Sequence, residues 1–286
     1  MSSPLPIFYH HFRIPLPYLR TLELQETIHQ LQLAHRRSSS ESTSSSHHPD
    51  LLLLLEHRPV YTAGRRQTDE STRSERERLE KLGAEFVLTK RGGEVTYHGP
   101  GQVVGYPLLD LGRAGSRSSP SQDSGTKPTA LSIRDYICYL QRTLTSHLTH
   151  SHGIKTVPSE HTGVFLSEME KIGSIGVQVR HRLTTHGFAM NVERGPEEWF
   201  ERVVACGLVG VRATSIQSAK DMKDGDITVT KQIPALVSRF GNVFGREMVE
   251  LELASGLEEY KRAIQELENE AARMERWLGE PIEHVD

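Results

Sequence analysis

An α+β fold is what this chain predicts, and three observations carry that reading. Strand-like segments occur in neighbouring pairs joined by short turns, most plainly between Gly163 and Asn191. Helical segments flank these pairs instead of alternating with single strands, which argues against a strictly parallel, doubly wound sheet. The 286 residues provide enough material for one large core or two small ones.

Taken in order, a short strand is expected over Ile7 to Ile14. A helix follows through Leu24, Ile28 and Leu31, which share a face at i, i+4, i+7 spacing. Strands are expected at Leu51 to Leu55, Glu85 to Thr89, Glu94 to Tyr97 and Gln102 to Leu109. The strongest helical pattern puts Ile133, Ile137, Leu140, Leu144 and Leu148 on one side, with Ser132 as its cap and Asp135 in its first turn. Three strands follow, near Gly163 to Leu166, Ser174 to Val179 and Leu183 to Asn191. Pro196 suits the first turn of a short helix holding Trp199 and Phe200. Ile233, Val237, Phe240 and Phe244 mark another helix. From Leu257 through Tyr260, Ile264, Leu267, Ala271, Met274 and Leu278 the apolar spacing is heptad-like, read here as a helix lying on the domain's own surface.

Serine-rich Ser38 to Ser46 and the Gly/Ser/Pro-rich Gly112 to Thr129 bury too little apolar surface to offset their ordering entropy. They read as disordered inserts, near 38–50 and 112–129, within a catalytic unit spanning 1–250. Residues 251–286 form a charged helical extension.

A net charge of -3 leaves no electrostatic footprint for nucleic acid or an acidic membrane surface. No apolar run approaches the ~18 residues of a membrane-spanning helix. Two cysteines, Cys138 and Cys206, exclude a disulfide scaffold and suit a reducing compartment. The N-terminus lacks the apolar stretch of a signal peptide, and Arg13 and Arg20 are only a faint match to a presequence. The histidines make no zinc-binding spacing, so neither metal nor cofactor is expected.

Three segments hold unusual chemistry. The first, Arg91-Gly92-Gly93-Glu94-Val95-Thr96-Tyr97-His98-Gly99-Pro100-Gly101-Gln102, brackets a short strand with glycine turns. Glycine admits close backbone approach to a ligand, yet two ordinary tight turns explain the pattern equally well. The second, Lys171-Ile172-Gly173-Ser174-Ile175-Gly176, opens an apolar strand with a lysine, a residue that usually sits on a solvated face. The third is Cys206-Gly207-Leu208. A thiol beside glycine is sterically open but needs a nearby cation to act as a nucleophile; otherwise it is a small buried hydrophobe. Cys138, off the apolar face of its helix, reads as structural.

Together these segments resemble the lipoyl(octanoyl) transferase family. The matching pieces are RGGEVTYHGPGQVVGYPLLDL at 91–111, TGVFLSEMEKIGSIGVQV at 162–179, HGFAMNV at 186–192, ACGLVGVRATSI at 205–216 and LLLLEHRPVYTAGR at 52–65. The resemblance spans roughly residues 7 to 245. It implies a biotin/lipoate protein ligase-like catalytic fold, a mixed β-sheet flanked by helices. It implies Cys206 as the acyl-thioester nucleophile and Lys171 as the residue that lowers its pKa. Arg91, Gly92, Gly93, Glu94, Val95, Thr96, Tyr97 and His98 are implied to line the acyl tunnel, with Ser174, Ile175, Gly176, Gly187, Phe188 and Ala189. Val177 and Met190 are further candidate walls.

The implied reaction moves an octanoyl (or lipoyl) group from acyl carrier protein, octanoyl-acyl carrier protein being the implied donor, to the lysine of a lipoyl domain. The implied acceptors are the 2-oxoacid dehydrogenase complexes and the glycine cleavage H protein. Thioester exchange is nearly balanced in energy, so no ATP is required. Ala205 departs from the family's usual proline. The rivals are an ATP-dependent lipoate ligase, which needs no nucleophilic cysteine, and a catalytically silent binding protein. A eukaryotic source would place the chain in mitochondria, a bacterial one in the cytoplasm.

Overall fold

A computed structural model describes residues 5–41, 48–114, 130–203, 207–208 and 210–274. Its centre is an eight-stranded mixed sheet. Seven strands follow the order β10 (Arg212–Ala213), β8 (Glu170–Arg180), β9 (Leu183–Asn191), β6 (Gln102–Leu108), β2 (Asp50–Leu55), β1 (Ile7–His11) and β11 (Met248–Glu250). The eighth, β7 (Val164–Ser167), pairs with the start of β8. Pairing is parallel at β10/β8, β2/β1 and β1/β11, and antiparallel across β8/β9, β9/β6 and β6/β2.

The five leucines of β2 show why this strand lies at the centre. Successive side chains point to opposite faces, and both faces are covered. Leu52 and Leu54 join one core, against α3 (Ile133–His152) and α6 (Val229–Phe244). Leu51, Leu53 and Leu55 join the other, against α1 (Tyr18–Glu41) and α7 (Glu258–Arg273). An unbroken apolar run is what burial on both sides demands.

A second sheet of three short strands, ordered β4 (Glu85–Leu88), β3 (Val60–Ala63), β5 (Thr96–His98), packs with α2 (Asp69–Lys81) and α4 (Gly195–Phe200) around Tyr61, Tyr97 and Trp199. A one-turn helix, α5 (Ile216–Ala219), lies between β10 and α6. The sequence signalled neither β3 nor α2. Alternation has little length to register in four residues, and α2 carries one buried leucine, Leu79, among charges.

Helix α3 begins as expected: Ser132 Oγ accepts from Asp135 N at 3.1 Å, and left-handed Gly153 ends it. Cys138 lies exposed on its outer side. In α7, Tyr260, Ile264, Leu267 and Ala271 are buried against α1, and Arg20 reaches Glu270 at 2.7 Å.

The insert boundaries differ from expectation. Helix α1 continues to Glu41, through the first serines of the run, and residues 42–47 lie outside the described part. Buried His48 and Asp50 are ordered, as are residues 112–114, because Arg113 bonds Asp50 Oδ1 at 2.8 Å and Arg246 bonds Asp50 Oδ2 at 2.5 Å. Residues 115–129 lie outside the described part.

Candidate active site

A cavity of about 770 Å³ opens between the small sheet and the face of β8, β9 and β6. Its walls bring together segments far apart in sequence. Arg91 to Glu94, Thr96 and His98 come from the loop before β5 and from β5 itself. Lys171, Ser174, Ile175 and Gly176 come from β8, and Gly187, Phe188 and Ala189 from β9. Leu208, two residues past Cys206, lines it as well. Cys206 itself and Ala205 lie outside the described residues.

Two expected wall residues do not reach the cavity. Tyr97 is buried and stacks on Trp199 at 5.2 Å, beside Tyr61, and Val95 packs in the same cluster. The cause is strand alternation. Thr96 and His98 face one side of β5, so Tyr97 between them must face the other. Met190 is likewise core, whereas Val177 lines the cavity.

Arg91 serves the loop more than the open cavity. Its guanidinium donates to Thr62 O at 2.6 Å, to Thr62 Oγ1 at 2.7 Å, to Gly92 O at 3.0 Å and to Glu94 O at 2.9 Å. That clamp ties the loop to β3. Gly92 N donates to Val177 O at 3.1 Å, which ties the same loop to the outer edge of β8. A Cβ on Gly64 would stand 1.8 Å from Gly93 O, so only glycine permits this approach.

Lys171 is almost buried, with Nζ 5.5 Å from the centre of the Phe165 ring. Gly163, at φ +145°, passes so close that a Cβ there would stand 2.7 Å from Lys171 Cε. The first and third motifs also meet. A Cβ on Gly207 would lie 2.1 Å from Glu94 Oε2, and Glu94 in turn pairs with Arg66 at 3.1 Å. Among the lining residues, Arg65, Arg66, Lys90, Arg91 and Lys171 are cationic and Glu94 alone is acidic, although the chain as a whole is net negative.

The inner wall holds groups that the motifs did not single out: Tyr18, Tyr106 and His186, with His57 behind them. Their hydrogen bonds leave one proton arrangement. Leu16 O only accepts, so His57 Nδ1 donates to it at 3.1 Å, and His57 Nε2 accepts from the Tyr106 hydroxyl at 2.6 Å. Asn191 Nδ2 donates to Thr214 O at 2.9 Å, so its Oδ1 accepts from Gln102 Nε2 at 2.8 Å. Gln102 Oε1 then accepts from His98 Nδ1 at 2.7 Å, leaving His98 Nε2 as a lone-pair acceptor. Burial keeps the imidazoles neutral: His57 is held down to about 4, His186 to about 3, and His98 well below its usual value. Gln102 lies within the first motif, and its place in this relay was foreshadowed only by its proximity to His98. Nothing local marks Tyr18, which reaches the site through packing.

A model of the lipoyl protein ligase A/B catalytic domain matches residues 18–241. The chain is 37% identical over 191 residues to the mitochondrial octanoyl-[acyl-carrier-protein]:protein N-octanoyltransferase of Danio rerio, covering 67% of this chain and 75% of that protein. It is 35% identical over 231 residues to the octanoyltransferase of Caldicellulosiruptor saccharolyticus, covering 80% and 85% respectively. Eukaryotic relatives are named as mitochondrial and bacterial ones are not. In shape the chain is similar to a putative lipoate protein ligase of Thermoplasma acidophilum, with a TM-score of 0.57 at 14% identity over 97% of this chain and 98% of that one. A lipoate-protein ligase A bound with ATP gives 0.55 at 15% identity, over 97% and 98%. At these identities the two structures establish the shared fold.

Proposed function

The chain belongs to the lipoyl protein ligase A/B catalytic family and is an octanoyltransferase of protein lipoylation, and on that premise we propose that the octanoyl group passes through a thioester on Cys206. The donor is octanoyl-acyl carrier protein and the acceptor is a lysine of a lipoyl domain. The 2-oxoacid dehydrogenase complexes and the glycine cleavage H protein supply such lysines. Residues 1–250 form the catalytic unit and 251–286 an appended helix. In a eukaryotic cell this places the chain in mitochondria, in a bacterium in the cytoplasm.

One observation supports this reading above the others: a nearly buried lysine ammonium, Lys171, and Leu208, two residues from Cys206, line the same cavity. The thiolate is the nucleophilic form of cysteine, and only a few per cent of an ordinary thiol is ionised at neutral pH. A neighbouring cation favours that form. The Cys206 thiolate attacks the donor carbonyl, a new C–S bond forms, and the bond to the carrier sulfur breaks. Lys171 supplies the proton that the departing carrier thiolate takes up. In the second half the acceptor amine attacks the acyl-enzyme, the Cys206–acyl bond breaks, and the proton lost by nitrogen returns to Lys171. No ATP enters, because each step exchanges one acyl bond for another of similar or lower energy.

The test is an intact mass after incubation with octanoyl-acyl carrier protein without ATP. One octanoyl adduct is expected, labile to hydroxylamine, absent in Cys206→Ser, and discharged by an added lipoyl domain. Transfer that requires ATP and survives in Cys206→Ser would point to ligase chemistry instead. Binding without adduct or transfer would point to a silent relative.

A further inference from the structure

Resting on that transferase reading, we infer that Asn191 is a positioning residue for the Cys206 thiol, clipping the downstream end of the Cys206 segment to the strand that carries Lys171. That segment joins α4 to β10. Among its described residues, Arg212 and Ala213 pair with β8, opposite Glu170 and Lys171. Arg212 N donates to Met169 O at 2.9 Å, and Thr214 N donates to Lys171 O at 3.0 Å. The backbone of Lys171 is therefore one end of this ladder. Two residues are fewer than an ordinary strand brings to a sheet, so the ladder by itself holds the segment weakly.

Asn191, at the end of β9, adds a tie of its own: its Nδ2 donates to Thr214 O at 2.9 Å. Gln102 on β6 is the register partner of Asn191, so the two side chains leave the same face of the sheet. Gln102 also dictates which way the Asn191 amide points. Its Nε2 donates to Asn191 Oδ1 at 2.8 Å and to Tyr97 O at 3.2 Å, while its Oε1 accepts from His98. With Oδ1 engaged, Nδ2 has to face Thr214. Both amides are buried, and Asn191, Gln102, Lys171 and Ala213 line one small void beside the main cavity. The following turn is anchored separately, because Gln217 N donates to Val192 O at 3.0 Å. Loss of the Asn191 tie thus frees β10 while α5 keeps its place.

Cys206 lies eight residues before Thr214, and Leu208 between them lines the cavity with Lys171. Displacing β10 from β8 changes the spacing of thiol and ammonium, and the attraction that favours the thiolate falls with that spacing. The other charged groups beside the segment are Glu94 with its partner Arg66, next to Gly207, and Arg212 with its partner Glu170. Glu94 acts on the thiolate in the opposite sense, so the test has to isolate Lys171.

The test follows the alkylation of Cys206 by iodoacetamide against pH, read by peptide mass in the full-length protein well below its unfolding temperature. All variants carry Cys138→Ser, which removes the exposed thiol of α3. The rate follows the thiolate fraction, and the wild-type midpoint is expected below the value of about 8.5 of an ordinary thiol. Asn191→Ala is expected to raise that midpoint by about one unit, the low end of what one neighbouring charge produces. Lys171→Met should raise it at least as far, and adding Asn191→Ala to Lys171→Met should raise it no further. Asn191→Ser, polar but too short to reach Thr214 O, carries the test if Asn191→Ala does not fold. A merely structural Asn191 would lower the unfolding midpoint and leave the alkylation midpoint in place, and that result in a folded variant would overturn the clip. An equal rise in the Lys171→Met background would overturn it as well, because the effect would not run through the ammonium. Either failure leaves the thioester reading standing; that reading falls if wild type, given octanoyl-acyl carrier protein in a parallel sample, forms no adduct on Cys206.

Discussion

Arg91→Lys is the perturbation that separates a loop clamp from a ligand contact. In the wild type the guanidinium reaches four acceptors: Thr62 O, Thr62 Oγ1, Gly92 O and Glu94 O. A lysine ammonium is a single point on a flexible stem and cannot span the same fork. It leaves at least two of those acceptors unmet in a buried setting, and each costs roughly 1–3 kcal/mol. A loss of about 2–4 kcal/mol is therefore expected, read as a lower denaturant midpoint at unchanged slope. Activity should fall further than the folded fraction does. The freed loop no longer holds Gly92 against Val177, and a displacement of about 1 Å near a reacting centre costs on the order of a hundredfold. Acyl-enzyme formation measured well below the unfolding temperature isolates that second effect. Wild-type stability combined with a raised KM for the donor would refute the clamp and make Arg91 a substrate contact.

Two further perturbations bear on the frame. Glu56 accepts from Gly101 N at 2.8 Å, at the end of the glycine-rich motif, and burial lifts its carboxyl to about 7. Because the folded value lies above the unfolded one, its contribution is complete below about pH 4.5 and is lost as pH rises through 7. Glu56→Gln should consequently gain on the order of 2 kcal/mol relative to wild type between pH 5 and pH 8; parallel stability curves for the two proteins would dismiss the assignment. Asp50→Asn removes the carboxylate that Arg113 and Arg246, both largely buried, share, and should cost about 3–5 kcal/mol in chemical unfolding. An unchanged midpoint would mean that the carbonyls of Leu5, Pro6 and His48, to which the two arginines also donate, suffice to hold them.

Much of the site is legible in the sequence. Residues 91–94, 174–176 and 187–189 do converge on one cavity, and Lys171 joins them. Glycine spacing alone leaves two ordinary turns as an equal explanation, and it is the family resemblance that implies these positions as walls. Side-chain direction is legible in neither. Val95 and Tyr97 lie within the same motif yet turn into the aromatic cluster, since the register of β5 against β3 decides which parity faces the cavity. Arg91 illustrates the same limit: its charge is plain in the sequence, but its four acceptors are contributed by residues up to 29 positions away.

Periodicity thus determined the α+β class and the amphipathic helices, because hydrophobic spacing acts over a few residues, whereas the family motifs were read by resemblance. Only tertiary structure decided which histidines are neutral acceptors and where Tyr18 and Tyr106 stand. Those features depend on burial and on cross-strand pairing between segments far apart along the chain, and no local pattern encodes either one.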